Sequence, residues 1–595
     1  MSTKEANRRP QPGARQLEWV LAGAALAAVL AVVFVTWLSA RIAAGIGGQP
    51  APPGNPFTYT VRIATGAARW PDGATTVLVT LLTVCVVVGG VLARLTWRWW
   101  RSVSWIDSRA GALSTARDTA LLRQAGARAD ARRLGSEQAG PGTPLGRHGR
   151  DGAMLHAPWE WVLACIMGAR SGKTTTMCVR QVMGNQAGPV VATSNKPDLV
   201  DLTRGPRSEL GAVWVFDPQN VIGEEASWWW NPLSVVKSVE DADELAGLLV
   251  AAVRNADART DAYFDTEGQA LLSGMLLAAA CAARPITQVF TWLTNENDPE
   301  PSKILQEHGY TVISDAVWAV NQLSPRQRDG VFGTARSMAS FLRNDRVLPW
   351  VTPTGPGDSR PQFDPVAFAT SQDTIYLVSR EGRGTARALT AALTVAIVNA
   401  AENIASHTRT GRLPAPMSVV LDEAANVVRW PTLPDLYSHY GSRGIILSTF
   451  FQSWSQGVEV WGKTGMTKLW TAANVRIVGP GIAEEGFLSE LARLIGDRDV
   501  IHRSASSGRG AGRSVQTSLH REQVLSPADL AKMPPGRAVM LTTGIPPTLL
   551  RLVHYSAMPY AAKIAASAAY YGAGRETPPA ASADNSTAPR TGRDR

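Results

Sequence analysis

Two uncharged apolar runs open the chain, Trp19–Ala40 and Ala74–Ala93, and each is long enough at ~1.5 Å per residue to cross a bilayer core as a helix. The first exceeds the usual apolar core of a secretory signal and is followed by a second, so it reads as an anchor rather than a cleaved leader. From about residue 151 the pattern changes to short β-branched runs alternating with helical stretches, which predicts a parallel-rich sheet wrapped by helices. Strands are expected at Val162–Met167, Val190–Thr193, Val213–Phe216, Thr374–Val378, Ser418–Leu421, Ile445–Thr449, Val475–Val478 and Val539–Leu541. Between about 235 and 346 the β runs vanish and helical sequence takes over, as in Ala262–Ala283 before Pro285. An all-helical subdomain inserted into an α/β core is the economical reading. The expected organisation is a membrane anchor over 1–100 with spans at 19–40 and 74–93 and a short external loop, then a basic juxtamembrane connector over 101–150. A nucleotide-binding core follows in two pieces, 151–234 and 347–560, around a helical insert at 235–346, with a disordered polar tail over 572–595.

Charge sharpens this picture. The net charge of +10 favours an anionic partner, nucleic acid or a membrane surface. Lys4, Arg8, Arg9 and Arg15 precede the first span, and Arg94, Arg98 and Arg101 follow the second, which places both chain ends in the cytoplasm. Trp97, Trp99 and Trp100 alternate with those arginines, as in an interfacial aromatic belt. Residues 101–150 carry nine arginines against four acids, the composition of a solvated helix and linker held near anionic lipid or DNA. The four cysteines, Cys85, Cys165, Cys178 and Cys281, have no metal-ligand or redox spacing.

The strongest chemical signal is Gly168-Ala169-Arg170-Ser171-Gly172-Lys173-Thr174-Thr175, placed after a predicted strand and opening a helix. This is the context of a phosphate-binding P-loop. Its backbone N–H groups and the positive end of the helix cradle phosphate, the lysine reaches the terminal phosphates, and the Thr174 hydroxyl binds Mg²⁺. Met167 stands where the pattern wants its first glycine, which leaves a degenerate, non-hydrolysing loop as an alternative. The second signal is Ser418–Leu421 ending in Asp422 and Glu423, the form of a Walker B strand: Asp422 would hold Mg²⁺ and Glu423 would polarise the attacking water. The third is the strand from Ile445 that leads to Gln452, a candidate γ-phosphate sensor, with Arg443 ahead of it as a candidate arginine finger for a neighbouring subunit. Two lesser features are Ser504–Ser514, whose Arg509 and Arg513 among Gly, Ser and Ala suit either a mobile basic loop facing DNA in a central pore or a plain flexible surface loop, and Trp228-Trp229-Trp230, which could stack bases but reads mainly as packing.

Several runs together resemble the type IV coupling proteins, the conjugative DNA-transfer ATPases of the TraG and TraD kind. They are Leu155-His156-Ala157-Pro158, Ser194–Leu199, Phe216-Asp217-Pro218, Asn231-Pro232-Leu233, Leu421–Asn426 and Gln452–Gln456, and the likeness covers roughly 150–555. The resemblance implies a RecA-like P-loop motor core with an all-α insert and two transmembrane helices. It also implies ATP and Mg²⁺ as cofactors and a homo-hexamer at the cytoplasmic membrane that delivers a relaxase-linked single strand of DNA to a type IV secretion channel. Two other readings compete: a duplex-DNA translocase of the FtsK kind, for which no winged-helix candidate follows the motor, and a secretion receptor that binds nucleotide without hydrolysing it.

Overall fold

A computed structural model describes residues 14–102, 104–253, 262–380, 387–508 and 511–572. The chain divides into two compact units, residues 1–104 and 105–595. The first holds the helices Ala14–Ile46 and Ala74–Ser102, which contain the two predicted spans, and a short helix Pro56–Ala64 between them. Small residues, Ser39, Ala40, Ala43 and Ala44, are buried within this unit, whereas Val86 is 73% exposed. Over Ala74–Val91 the mean hydropathy is 2.3 with only 6% of the window buried. Of the flanking cations, Lys4, Arg8 and Arg9 lie outside the described residues, as does the tail 573–595. Trp97, Trp99 and Trp100 fall in the second long helix, but the belt expected of their side chains is outside what is described. A further apolar helix, Arg387–His407, passes the same length and hydropathy test, but 72% of it is buried inside the second unit, where it belongs to the core.

The second unit is built on an eleven-stranded mixed sheet. Its strands in chain order are β1 (Thr143–His148), β2 (Met154–Ala157), β3 (Leu163–Ile166), β4 (Val190–Ser194), β5 (Val213–Phe216), β6 (Thr374–Val378), β7 (Met417–Leu421), β8 (Ile445–Phe451) and β9 (Val475–Val478). The remaining two are β12 (Arg537–Thr542) and β13 (Ile545–Arg551), while β10 (Asp497–Gly508) and β11 (Ala511–Gln523) form a separate ribbon. The spatial order is β2-β1-β13-β12-β9-β3-β8-β7-β4-β6-β5. From β9 to β5 every pairing is parallel, and from β12 outward to β2 every pairing is antiparallel. The central strands β3, β4, β7 and β8 are buried at almost every position, as parallel strands covered on both faces must be. Between β5 and β6 the described chain is helical, from Val239–Val253 through Ala262–Cys281 to Pro325–Met338. Trp228 and Trp230 are buried, and Trp228 packs edge-on against Trp214 and Trp350, so the tryptophan triplet serves packing.

Two expectations need correction. The basic connector over 101–150 is not a solvated linker: from Trp105 it belongs to the second unit, and its last residues form β1, antiparallel to β13. Ile106, Leu122, Ala127, Ala131 and Leu145 are buried while Arg117, Arg128 and Arg132 face out, so the charge count hid an apolar face. Asp107, with its side chain 5% exposed, takes both Nε and Nη2 of Arg537 at 2.7 and 2.8 Å. In the run Ser504–Ser514, residues 504–508 and 511–514 are likewise no plain loop but lie in the paired ribbon of β10 and β11; Arg509 and Gly510 fall outside the described residues.

Candidate nucleotide site

Register brings the chemistry to one place. Ile166 of β3 is level with Phe451 of β8 and Val478 of β9, and Leu421 of β7 pairs with Thr449 of β8. The residues that follow these ends, Met167 onward, Gln452, Gly479 and Asp422, therefore share the C-terminal edge of the parallel strands, where such sheets bind ligands.

Met167 continues β3, its N–H donating to Phe451 O at 2.9 Å. Its side chain is buried against Gly479, where an added Cβ would lie 2.5 Å from Met167 Cγ, so a glycine on the adjoining segment makes room for it. The turn itself forms at Arg170 and Gly172, which adopt φ of 56° and 83°. Gly172 takes the left-handed conformation without steric penalty. Gly168 lies against the backbone of Gly481, whose oxygen would be 2.2 Å from any Cβ at 168. Ala169 closes the run between them, and Thr175 and Thr176 turn their hydroxyls back to Gly172 O at 3.2 and 2.9 Å.

Lys173 is the centre of the cluster. Its ammonium donates to Glu423 Oε1 and lies 3.1 Å from Asp422 Oδ1, with all three side chains less than a tenth exposed. Burial opposes charge on Lys173, yet Asp422 and Glu423 outweigh it and hold the amine above its ordinary range. Burial pushes the Asp422 carboxyl up despite the nearby ammonium. Thr174 Oγ1 donates to Asp422 Oδ2 at 3.1 Å, and Thr193 Oγ1 to the Asp422 carbonyl at 3.0 Å. Glu423 has φ of 57°, and this left-handed turn directs its carboxylate back to Lys173. Gln452 Nε2 donates to the same Glu423 Oε1 at 2.9 Å, because β8 lies between β3 and β7 and is long enough to project Gln452 between their ends. One buried oxygen beside the cluster, Ser171 Oγ, has no hydrogen-bond partner, while Asp422 Oδ1 faces only the Lys173 ammonium.

The structure thus brings Lys173, Thr174, Asp422, Glu423 and Gln452 together. It does not bring Arg443 to them: that residue closes the helix Leu433–Ser442 at the other end of β8, its Nη1 donating to Gly411 O at 3.2 Å. The seven residues of β8 at ~3.3 Å each set Arg443 roughly 23 Å from Gln452. Sequence reasoning missed Gln456, whose Oε1 accepts from Gln452 N at 3.0 Å, and Glu484, whose carboxylate accepts from Trp454 N and Ser455 N.

Comparison with known proteins shows what the chain is similar to. The family described as the TraM recognition site of TraD and TraG matches residues 416–535, which include Asp422, Glu423, Arg443 and Gln452 and the β10–β11 ribbon. Conjugal transfer protein TraG of Rhizobium radiobacter is 23% identical over 406 residues, 64% of this chain and 60% of that protein. Its namesake in Agrobacterium fabrum strain C58 is 23% identical over 403 residues, 64% of this chain and 58% of the relative. The match therefore spans about three fifths of the length of these relatives. Over these stretches the chain is similar to conjugative coupling proteins. Among solved structures, the bacterial conjugative coupling protein TrwBdeltaN70 aligns with a TM-score of 0.51 at 16% identity, over 71% of this chain and 91% of that one. TrwB in complex with ADP and Mg²⁺ aligns equally well, over 72% and 91%. The chain has a TrwB-like α/β fold with a large mixed sheet.

Proposed function

We propose that this chain is a membrane-anchored, Mg²⁺-dependent ATPase that couples ATP hydrolysis to the movement of DNA, a relaxase-linked single strand, into a type IV conjugative channel. The observation that carries the reading is the buried Lys173–Glu423–Gln452 contact beside Thr174 and Asp422, on three neighbouring strand ends. These residues fit a Mg–nucleotide: Ser171 Oγ is buried without a hydrogen-bond partner in the loop, and the Asp422 carboxylate is held only by Lys173 and Thr174, which leaves it oxygen lone pairs for a metal. Asp422 and Thr174 would hold the metal, and residues 168–175 the phosphates. Bound Mg²⁺ supplies positive charge that offsets charge on the transferring phosphoryl group. Lys173 exchanges its carboxylate partners for phosphate oxygens, which releases Glu423 to take a proton from water while Gln452 keeps hold of the same carboxylate. Arg443 acts in trans, at the neighbouring site of a homo-hexamer. The two apolar helices anchor the chain in the cytoplasmic membrane with both ends in the cytoplasm, and the ribbon region supplies a surface for relaxase-complex and channel partners, as the TraM description of the family suggests.

The test is transfer itself. Lys173→Ala and Glu423→Gln should each abolish plasmid transfer while the protein still fractionates with membranes; normal transfer by either variant would refute the assignment.

A further inference from the structure

The helix Trp454–Ala472 starts two residues after Gln452, and its first N–H groups are capped from two sides. Glu484 Oε2 accepts from Trp454 N at 2.7 Å and Oε1 from Ser455 N at 2.9 Å. Ser453 Oγ accepts from Gln456 N at 3.2 Å, and Gln456 returns a side-chain bond to Gln452 N. A carboxylate at a helix N-terminus meets both orphan donors and the positive end of the dipole. Glu484 is not part of that helix. It ends the segment after β9 that touches the P-loop: Gly479 N donates to Ile166 O and Gly168 N to Pro480 O, both at 2.9 Å, and Gly481 packs on Gly168. Glu484 is also the N-cap residue of the helix Glu485–Ile495, which Gly496 turns into β10 of the ribbon. Phe487 of that helix stacks on Trp454 at 5.2 Å, so the two helix starts are packed together.

We propose that Glu484 is a positioning residue: it fixes the start of the Trp454 helix, and with it Gln452 against Glu423, and links the P-loop to the helix Glu485–Ile495 that leads to the ribbon. This rests on the ATPase reading above. Glu484 touches neither nucleotide nor the reacting atoms; it acts through the backbone that carries Gln452. Loss of the carboxylate therefore leaves Lys173, Thr174 and Asp422 in place and loosens the Gln452–Glu423 contact.

The experiment uses the purified full-length chain, wild type, Glu484→Ala and Glu484→Gln. Glu484→Ala should lower kcat by as much as about 10²-fold, the loss that a misplacement of about 1 Å can cause, with KM for ATP changed less than about twofold. Glu484→Gln keeps an acceptor and should fall between, and it carries the test if the alanine variant does not fold. Unchanged kcat in both variants would overturn the proposal and leave the ATPase reading standing. A wild type without hydrolysis would sink that reading instead. Glu484 is then decided by hydrogen exchange of residues 485–495 on adding a non-hydrolysable ATP analogue: a change seen in wild type and lost in Glu484→Ala supports the link, and the same change in both overturns it.

Discussion

Glu423 holds a left-handed backbone conformation that a side-chain-bearing residue adopts only at some cost, of order 1–3 kcal/mol, when the surroundings impose it. Here its carboxylate is fixed by Lys173 and Gln452, with Asn426 N and Val427 N donating to its carbonyl at 2.8 and 2.9 Å. Lys173 and Glu423 are partners in this arrangement, so their variants should separate binding from chemistry. Lys173→Ala removes the cation from the phosphates and should weaken ATP binding markedly, whereas Glu423→Gln should bind ATP at least as well as wild type and fail to cleave it. Equilibrium binding of a labelled ATP analogue beside single-turnover cleavage checks this; equal binding losses in the two would contradict it. Lys173, Thr174, Asp422 and Glu423 were legible in the sequence because their identities and flanking apolar runs carry the chemistry. Gln456 and Glu484 were not, since each acts through a main-chain contact and Glu484 lies 30 residues from the N–H groups it caps. Met167 could be flagged as a departure, but that Gly479 accommodates it depends on a strand pairing no local pattern reveals.

At the scale of elements, the predicted strands at 190, 213, 374, 418, 445, 475 and 539 all exist within two residues of their expected limits, because buried parallel strands read as continuous β-branched runs. Three antiparallel strands of the large sheet show where such reading ends: β1, β2 and β13 carry Pro, Gly, Arg and His, and are strands because their neighbours pair with them. Asp107 fastens the first turn of the second unit to β12, so Asp107→Ala removes the carboxylate from a largely buried Arg537. The second unit should lose on the order of 3 kcal/mol, the loss typical of breaking a buried pair, seen as a lower thermal midpoint; an unchanged midpoint would return this segment to the status of a linker. His156 on β2 gives a pH signature. Burial, with Arg180 and Arg128 nearby, lowers its imidazole from 6.5 to about 4. Between those values the unfolded chain binds a proton that the folded chain refuses, so its contribution to stability is full above pH 6.5 and is lost as pH falls towards 4. Thermal midpoints of wild type and His156→Gln across that window should diverge, the wild type falling more steeply with acid; parallel curves would refute the assignment.

For the whole molecule, the position of Arg443 has a definite consequence. It lies at the opposite end of β8 from Gln452, so it can serve catalysis only at another protomer's site. Chains carrying Arg443→Ala and Lys173→Ala, each inactive alone, should regain hydrolysis when mixed, because some interfaces then pair an intact P-loop with an intact arginine. Full activity of Arg443→Ala alone would remove the arginine from the mechanism. The central claim is that this site burns ATP in order to move DNA, and coupling of that kind must be visible as an effect of one ligand on the other. The most direct measurement is the steady-state ATPase rate of the purified full-length chain with and without single-stranded DNA at low salt, where phosphate contacts are strongest. The account predicts a rate that rises with DNA, falls back as salt is raised and vanishes in Glu423→Gln; a rate indifferent to DNA, or one that survives in Glu423→Gln, would contradict it.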